Sequence, residues 1–82
     1  MKAIIWTTDA VRALRRHGNM RERIQRALLD YATDQTAHVN NVTVLVGRTG
    51  KRLRVGGFRV IFDEDVNTII VRDIGPRGNI YE

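Results

Sequence analysis

Cysteine is absent from the 82 residues, so neither a disulfide nor a thiolate metal site supports the fold. That absence suits a reducing cytoplasm. Proline occurs once, and nothing in the chain resembles a linker, a repeat or a low-complexity segment. Apolar runs are only a few residues long, which excludes a helical membrane span. The start, "MKAIIWTTDA", turns polar too soon for a signal peptide. The expectation is one small domain over residues 1–82, soluble and cytoplasmic, with no membrane partner.

Acidic residues are also missing from one stretch, and there the chain becomes informative. Residues 47–59 carry Arg48, Lys51, Arg52, Arg54 and Arg59 and no acid, a charge of +5 that equals the formal net charge of the whole chain. Residues 60–82 reverse the sign. Such a concentration of positive charge attracts phosphate or an acidic protein. The plainer reading is a solvated sheet face, since Lys and Arg are mostly surface residues.

The hydrophobic pattern gives the elements. "AIIW" (3–6) reads as a short strand, and Thr8 or Asp9 can cap a helix from about Ala10 to Gly18. Asn19, with Glu22 three positions on, has the spacing of a capping box for a second helix. Met20, Ile24, Ala27, Leu28 and Tyr31 form its apolar stripe, and Arg21, Arg23 and Arg26 fall on its solvated side. His17 sits at a helix end, where a positive charge is favourable.

"VTVLV" (42–46) is a strand pattern, and residues 51–55 and 58–63 flank Gly56-Gly57 as a two-residue hairpin. Alternation places Leu53, Val55, Phe58, Val60 and Phe62 on one face and Arg52, Arg54, Arg59 and Ile61 on the other. "TIIVRDI" (68–74) is apolar on both sides, as a central strand is, and Gly75-Pro76 should end it. The expected class is α+β, in the order β-α-α-β-β-β. Short turns imply an antiparallel sheet. The helical hairpin must bury its stripe on one sheet face, which leaves the arginine face open to solvent. Trp6 should close the core beneath the first strand.

This register makes Arg54 face Arg59, a like-charge pair that opposes strand pairing. Guanidinium forks match phosphate oxygens, and donors held on strands are preorganised for a phosphodiester gaining charge in its transition state.

"RLRVGGFRVIF" followed by "IIVRDIGPRGNIY" resembles the second half of the RelE/ParE toxin superfamily of type II toxin–antitoxin systems, and the preceding helical hairpin fits the same topology. The resemblance implies a toxin neutralised by a cognate antitoxin. In RelE-like members it implies cleavage of messenger RNA on the ribosome, without metal or cofactor, by the RNA's own 2′-hydroxyl. It also implies catalytic roles for Arg52, Arg54, Arg59, Arg77 and Tyr81. Arg48 and Lys51, in the same basic window, are candidate RNA or phosphate contacts. The ribonuclease is favoured because the basic set and the late tyrosine are both present. The alternatives are a ParE-like inhibitor of DNA gyrase and an inactive toxin fold kept as a partner or operator-binding component. The general base stays open among Lys51, Asp63, Asp73, Glu82 and groups of the substrate or ribosome, because arginine holds its proton at any working pH.

Overall fold

A computed structural model describes residues 1–76. Its elements are β1 (Ala3–Trp6), α1 (Thr8–Arg16), α2 (Arg21–Thr33), β2 (Val42–Val44), β3 (Lys51–Val55), β4 (Phe58–Glu64) and β5 (Thr68–Pro76). Short 3₁₀ turns at Gly18–Met20 and Val39–Asn41 precede α2 and β2. The order is thus β-α-α-β-β-β-β: each of the five stretches read as strands forms one, so the expected order β-α-α-β-β-β is one strand short.

The helices begin differently from the sequence reading. Thr7 caps α1, its hydroxyl accepting from the Ala10 N–H at 3.2 Å, so the helix starts at Thr8 rather than near Ala10. Asp9 in the first turn and Arg15 and Arg16 in the last complement the helix dipole. The Asn19–Glu22 capping box does not form. The 3₁₀ turn runs directly into α2, and the residue before the helix, Met20, is already near-helical and makes no side-chain cap. The stripe of α2 is buried as expected, with Met20, Ile24, Ala27, Leu28 and Tyr31 in the core.

The sheet order is β1-β5-β4-β3-β2. The last four strands are antiparallel, as the short connections require. β1 departs from that expectation and joins β5 in parallel, from Ala3 opposite Thr68 to Trp6 opposite Val71. The helical hairpin carries the chain from β1 to β2 at the far edge, and the antiparallel strands return it to β5 beside β1. β5 is therefore interior, which accounts for its Ile69-Ile70-Val71 run. It also continues through Gly75-Pro76, where a break was expected, with Pro76 opposite Phe58. β1 ends at Trp6, opposite Val71, so beyond that point one side of β5 needs no donor and a proline is tolerated.

Both helices pack on one face of the sheet, against Leu53, Val55, Val60, Phe62, Ile69, Val71 and Ile74. Trp6 is half-buried at the margin of this core, in a groove with Leu14 and Gln25. No helix among the described residues is long and apolar enough to cross a membrane.

At the end of β4 away from the hairpin tip, Glu64 gathers four donors. Lys2 Nζ and Lys51 Nζ each lie 2.7 Å from its carboxylate, the Tyr31 hydroxyl donates at 2.9 Å, and Gln35 Nε2 donates as well. The Glu64 side chain is only 6% exposed. Burial by itself would raise its carboxyl, but hydrogen bonds from Lys2, Lys51 and Tyr31 outweigh burial and hold it below the ordinary 4.5. A carboxyl depressed in the folded state gives stability that is complete above its unfolded value and lost as pH falls through the folded one. Glu64→Gln should therefore cost about 1.5–3 kcal/mol at neutral pH, the range for hydrogen bonds to a charged group. The cost should shrink at acid pH, where the wild-type carboxylate is protonated through a value below 4.5. Urea unfolding of both proteins at neutral and acid pH measures this, and an equal cost at both would contradict it.

Candidate functional site

The hairpin forms around Gly56-Gly57 as the sequence requires, with the left-handed φ of +60° on Gly56 and Val55 opposite Phe58. Arg54 lies directly opposite Arg59. Paired residues share a face, so two cross-strand rows run over β3, β4 and β5. One is Arg52–Ile61–Asp73, and the other is Arg54–Arg59–Gly75. The second row holds two cations and a residue with no side chain. At its end Arg54, Gly56, Gly57, Phe58 and Arg59 line a shallow hollow of about 100 Å³ at the hairpin tip.

This face is less open than expected. Leu45, from the β2–β3 connection, covers Ile61, and both are buried as a small second cluster. The connection is pinned by the Leu45 N–H donating to the Gly50 carbonyl at 3.1 Å. Gly50, at φ +111°, lies so close to β4 that a Cβ would meet the Phe62 carbonyl at 3.1 Å. The cover rests on Ile61 in the Arg52 row and leaves Arg54 exposed.

The nominated residues separate on this scaffold. Arg52, Arg54 and Arg59 share the face. Arg48 belongs to the connection that carries Leu45, and Arg48, Arg52 and Arg59 each have an interaction partner. Lys51 is not with them. It alternates with Arg52 and points to the helix side, where it is bound to Glu64. Arg77, Tyr81 and Glu82 lie outside the described residues. Among the candidate bases, Lys51 is unsuited, because its hydrogen bond to Glu64 raises its pKa above the ordinary value despite partial burial. Asp63 is paired with Arg72 at 3.4 Å. Asp73 accepts from the Ile74 N–H at 2.8 Å. Arg72 itself sits at a bulge, where Ile61 pairs with Asp73 and Phe62 with Val71.

Three residues that the sequence did not assign to the site are brought to its edge. Arg23 of α2 lays its guanidinium over the hairpin tip, with Nη2 3.0 Å from where a Gly56 Cβ would stand. Arg26 and His38 share a cleft with Arg54, and the His38 Nε2 lies 3.6 Å from an Asp30 carboxylate oxygen. His38 is the one non-glycine residue at positive φ among those described, at +61°. The spacing of Arg23 and Arg26 marks only a solvated helix side, and His38 lies in a polar connector, so no local signal points to the hairpin. His17, expected as a helix-end charge, packs its ring edge-on against Phe58 at 4.9 Å.

The arrangement can bind a phosphodiester and stabilise negative charge on its oxygens, using fixed guanidinium forks on a rigid two-stranded platform.

No protein-family model matches the chain, and no curated protein matches it. Among solved structures, a chain of the toxin–antitoxin complex RelBE2 from Mycobacterium tuberculosis is similar over 93% of this chain and 98% of its own. The TM-score is 0.62 and the sequence identity 21%. At that identity the likeness speaks for architecture alone. The helical hairpin on a five-stranded mixed sheet is the fold shared with that chain.

Proposed function

We propose that this protein is the toxin of a type II toxin–antitoxin system and a metal-independent endoribonuclease that cuts messenger RNA on the ribosome. It acts in the cytoplasm as a single domain. The observation that carries the reading is the Arg54–Arg59 pair, two cations held face to face across a hairpin on the sheet side away from the helices. Among the described residues Arg54 makes no ion pair, so its own guanidinium keeps its full charge on this face. A phosphate seated between the two forks removes the repulsion. The RNA's own 2′-hydroxyl attacks the adjacent phosphorus, and the guanidinium groups stabilise the charge that grows on the phosphoryl oxygens. Arg52 extends the same face, and Arg77 and Tyr81 are assigned to the site by the sequence resemblance. The similar RelBE2 complex supports a protein antitoxin as the neutralising partner.

Expression without a partner should halt growth and leave messenger-RNA ends inside translated codons. Sequencing of RNA ends after induction checks this. Growth arrest with intact messages and a DNA-damage response would instead identify a gyrase inhibitor, and harmless expression at high level an inactive toxin fold.

The like-charge pair makes a second, separable prediction. Arg54→Gln should sharply reduce growth arrest while leaving the fold as stable or up to about 1 kcal/mol more stable, with the gain fading as salt is added. Urea unfolding at low and high salt, beside the growth assay, reads both. A clear loss of stability would mean that Arg54 is a structural residue and that its effect on activity comes through unfolding.

A further inference from the structure

α2 and the free end of β3 enclose a cleft of about 310 Å³ beside the hairpin site. Arg23, Arg26 and Asp30 reach it from the helix, His38 and Asn41 from the connection before β2, and Arg54 from β3. It exists because β2 pairs with β3 only from Lys51 to Leu53, so from Arg54 onward the sheet has no further strand on that side.

The cleft is basic, with three guanidinium groups against one carboxylate. Among the described residues neither Arg23 nor Arg54 makes an ion pair. Arg26 has only an exposed contact to Glu22 at 3.7 Å, a pairing that contributes little and is easily exchanged. Arg23 is nonetheless held in position, packed on Gly56 with Nη1 3.9 Å from the Met20 sulfur. Asp30 faces His38. His38 holds a left-handed backbone conformation, one in which histidine is enriched together with asparagine and aspartate.

Arg54 and Gly56 line both this cleft and the hollow at the hairpin tip, so the two are contiguous. We propose that the cleft binds the phosphodiester backbone of single-stranded RNA, and that a strand leaving the Arg54–Arg59 pair turns around the open edge of β3 onto Arg23 and Arg26. The proposal rests on the ribonuclease reading for its choice of ligand. The walls favour a polyanion over an acidic peptide, because Ala27 and Val55 are the only apolar side chains there and offer a peptide little to bury. His38 and Asn41 add hydrogen-bonding groups suited to sugar hydroxyls or base edges.

Fluorescence anisotropy with a trinucleotide and with an oligoribonucleotide of about twelve residues tests this, since one small domain spans roughly 4–16 nucleotides. Arg26→Gln should weaken binding of the longer RNA several-fold, and Arg23→Gln with Arg26→Gln about tenfold between about 50 and 200 mM salt. The double variant should lower the slope of log affinity against log salt by about 1.4, or 0.7 for each lost phosphate contact. Trinucleotide binding should not change. Arg26 is 73% exposed, so its single variant stays informative even if loss of Arg23 disturbs the packing on Gly56. Unchanged affinity and slope for the longer RNA in both variants would overturn the proposal. So would an oligoglutamate peptide whose binding depends on Arg26 when that of RNA does not. Codon-internal cuts persisting in cells alongside either result would leave the ribonuclease reading in place and remove only the cleft. Arg26-dependent RNA binding without such cuts would support the cleft and remove the ribonuclease.

Discussion

The turn at Gly56-Gly57 holds β3 and β4 in one register, and the arginine site depends on that register. Slipping one strand by a single residue would turn Leu53 and Val55, or Val60 and Phe62, away from the helices. Each such side chain contributes about 1.5–3 kcal/mol by its burial. The Arg54–Arg59 repulsion costs only about 0.2–1 kcal/mol. The core therefore wins easily, and it holds two like charges together that would separate in a free peptide. That is how two guanidinium groups are held side by side on one sheet face.

The two ends of β4 use charge in opposite ways. Near Glu64, two lysines, a tyrosine and a glutamine surround one carboxylate, and both ammonium groups are committed to it. Near Phe58 the strands end in Arg54 and Arg59, with Arg23 laid across the turn. Lys51 belongs to the basic window by sequence and to the Glu64 end by position. Side chains alternate at each residue along a strand, so Lys51 and Arg52 are neighbours in the chain and on opposite faces of the sheet. The positive charge available to a ligand is thus narrower than the window suggested on the sheet, and wider once the helix is counted.

Local chemistry made much of this legible. Gly-Gly between two alternating runs names a hairpin and its register, and the Met20–Tyr31 stripe names a helix and its buried face. Less local features were misread for identifiable reasons. Gly75-Pro76 looked like a break because proline lacks a donor, but whether a donor is needed there depends on where β1 stops. The Asn19–Glu22 spacing was right for a cap that a 3₁₀ turn replaced. The parallel β1–β5 pair joins residues more than sixty positions apart, and no local pattern announces it.

Sequence by itself determined the secondary elements, the two faces of the hairpin and the meeting of Arg54 with Arg59, because each depends on spacings of a few residues and on the fixed periods of strand and helix. Tertiary structure decided which cations remain available and what stands beside them. It drew Lys51 to Glu64, folded Leu45 over Ile61, and carried Arg23, Arg26 and His38 to the edge of the hairpin. Those outcomes depend on how α2 and the long connection after it lie against the sheet, and that placement is set by the whole core rather than by any neighbouring residues.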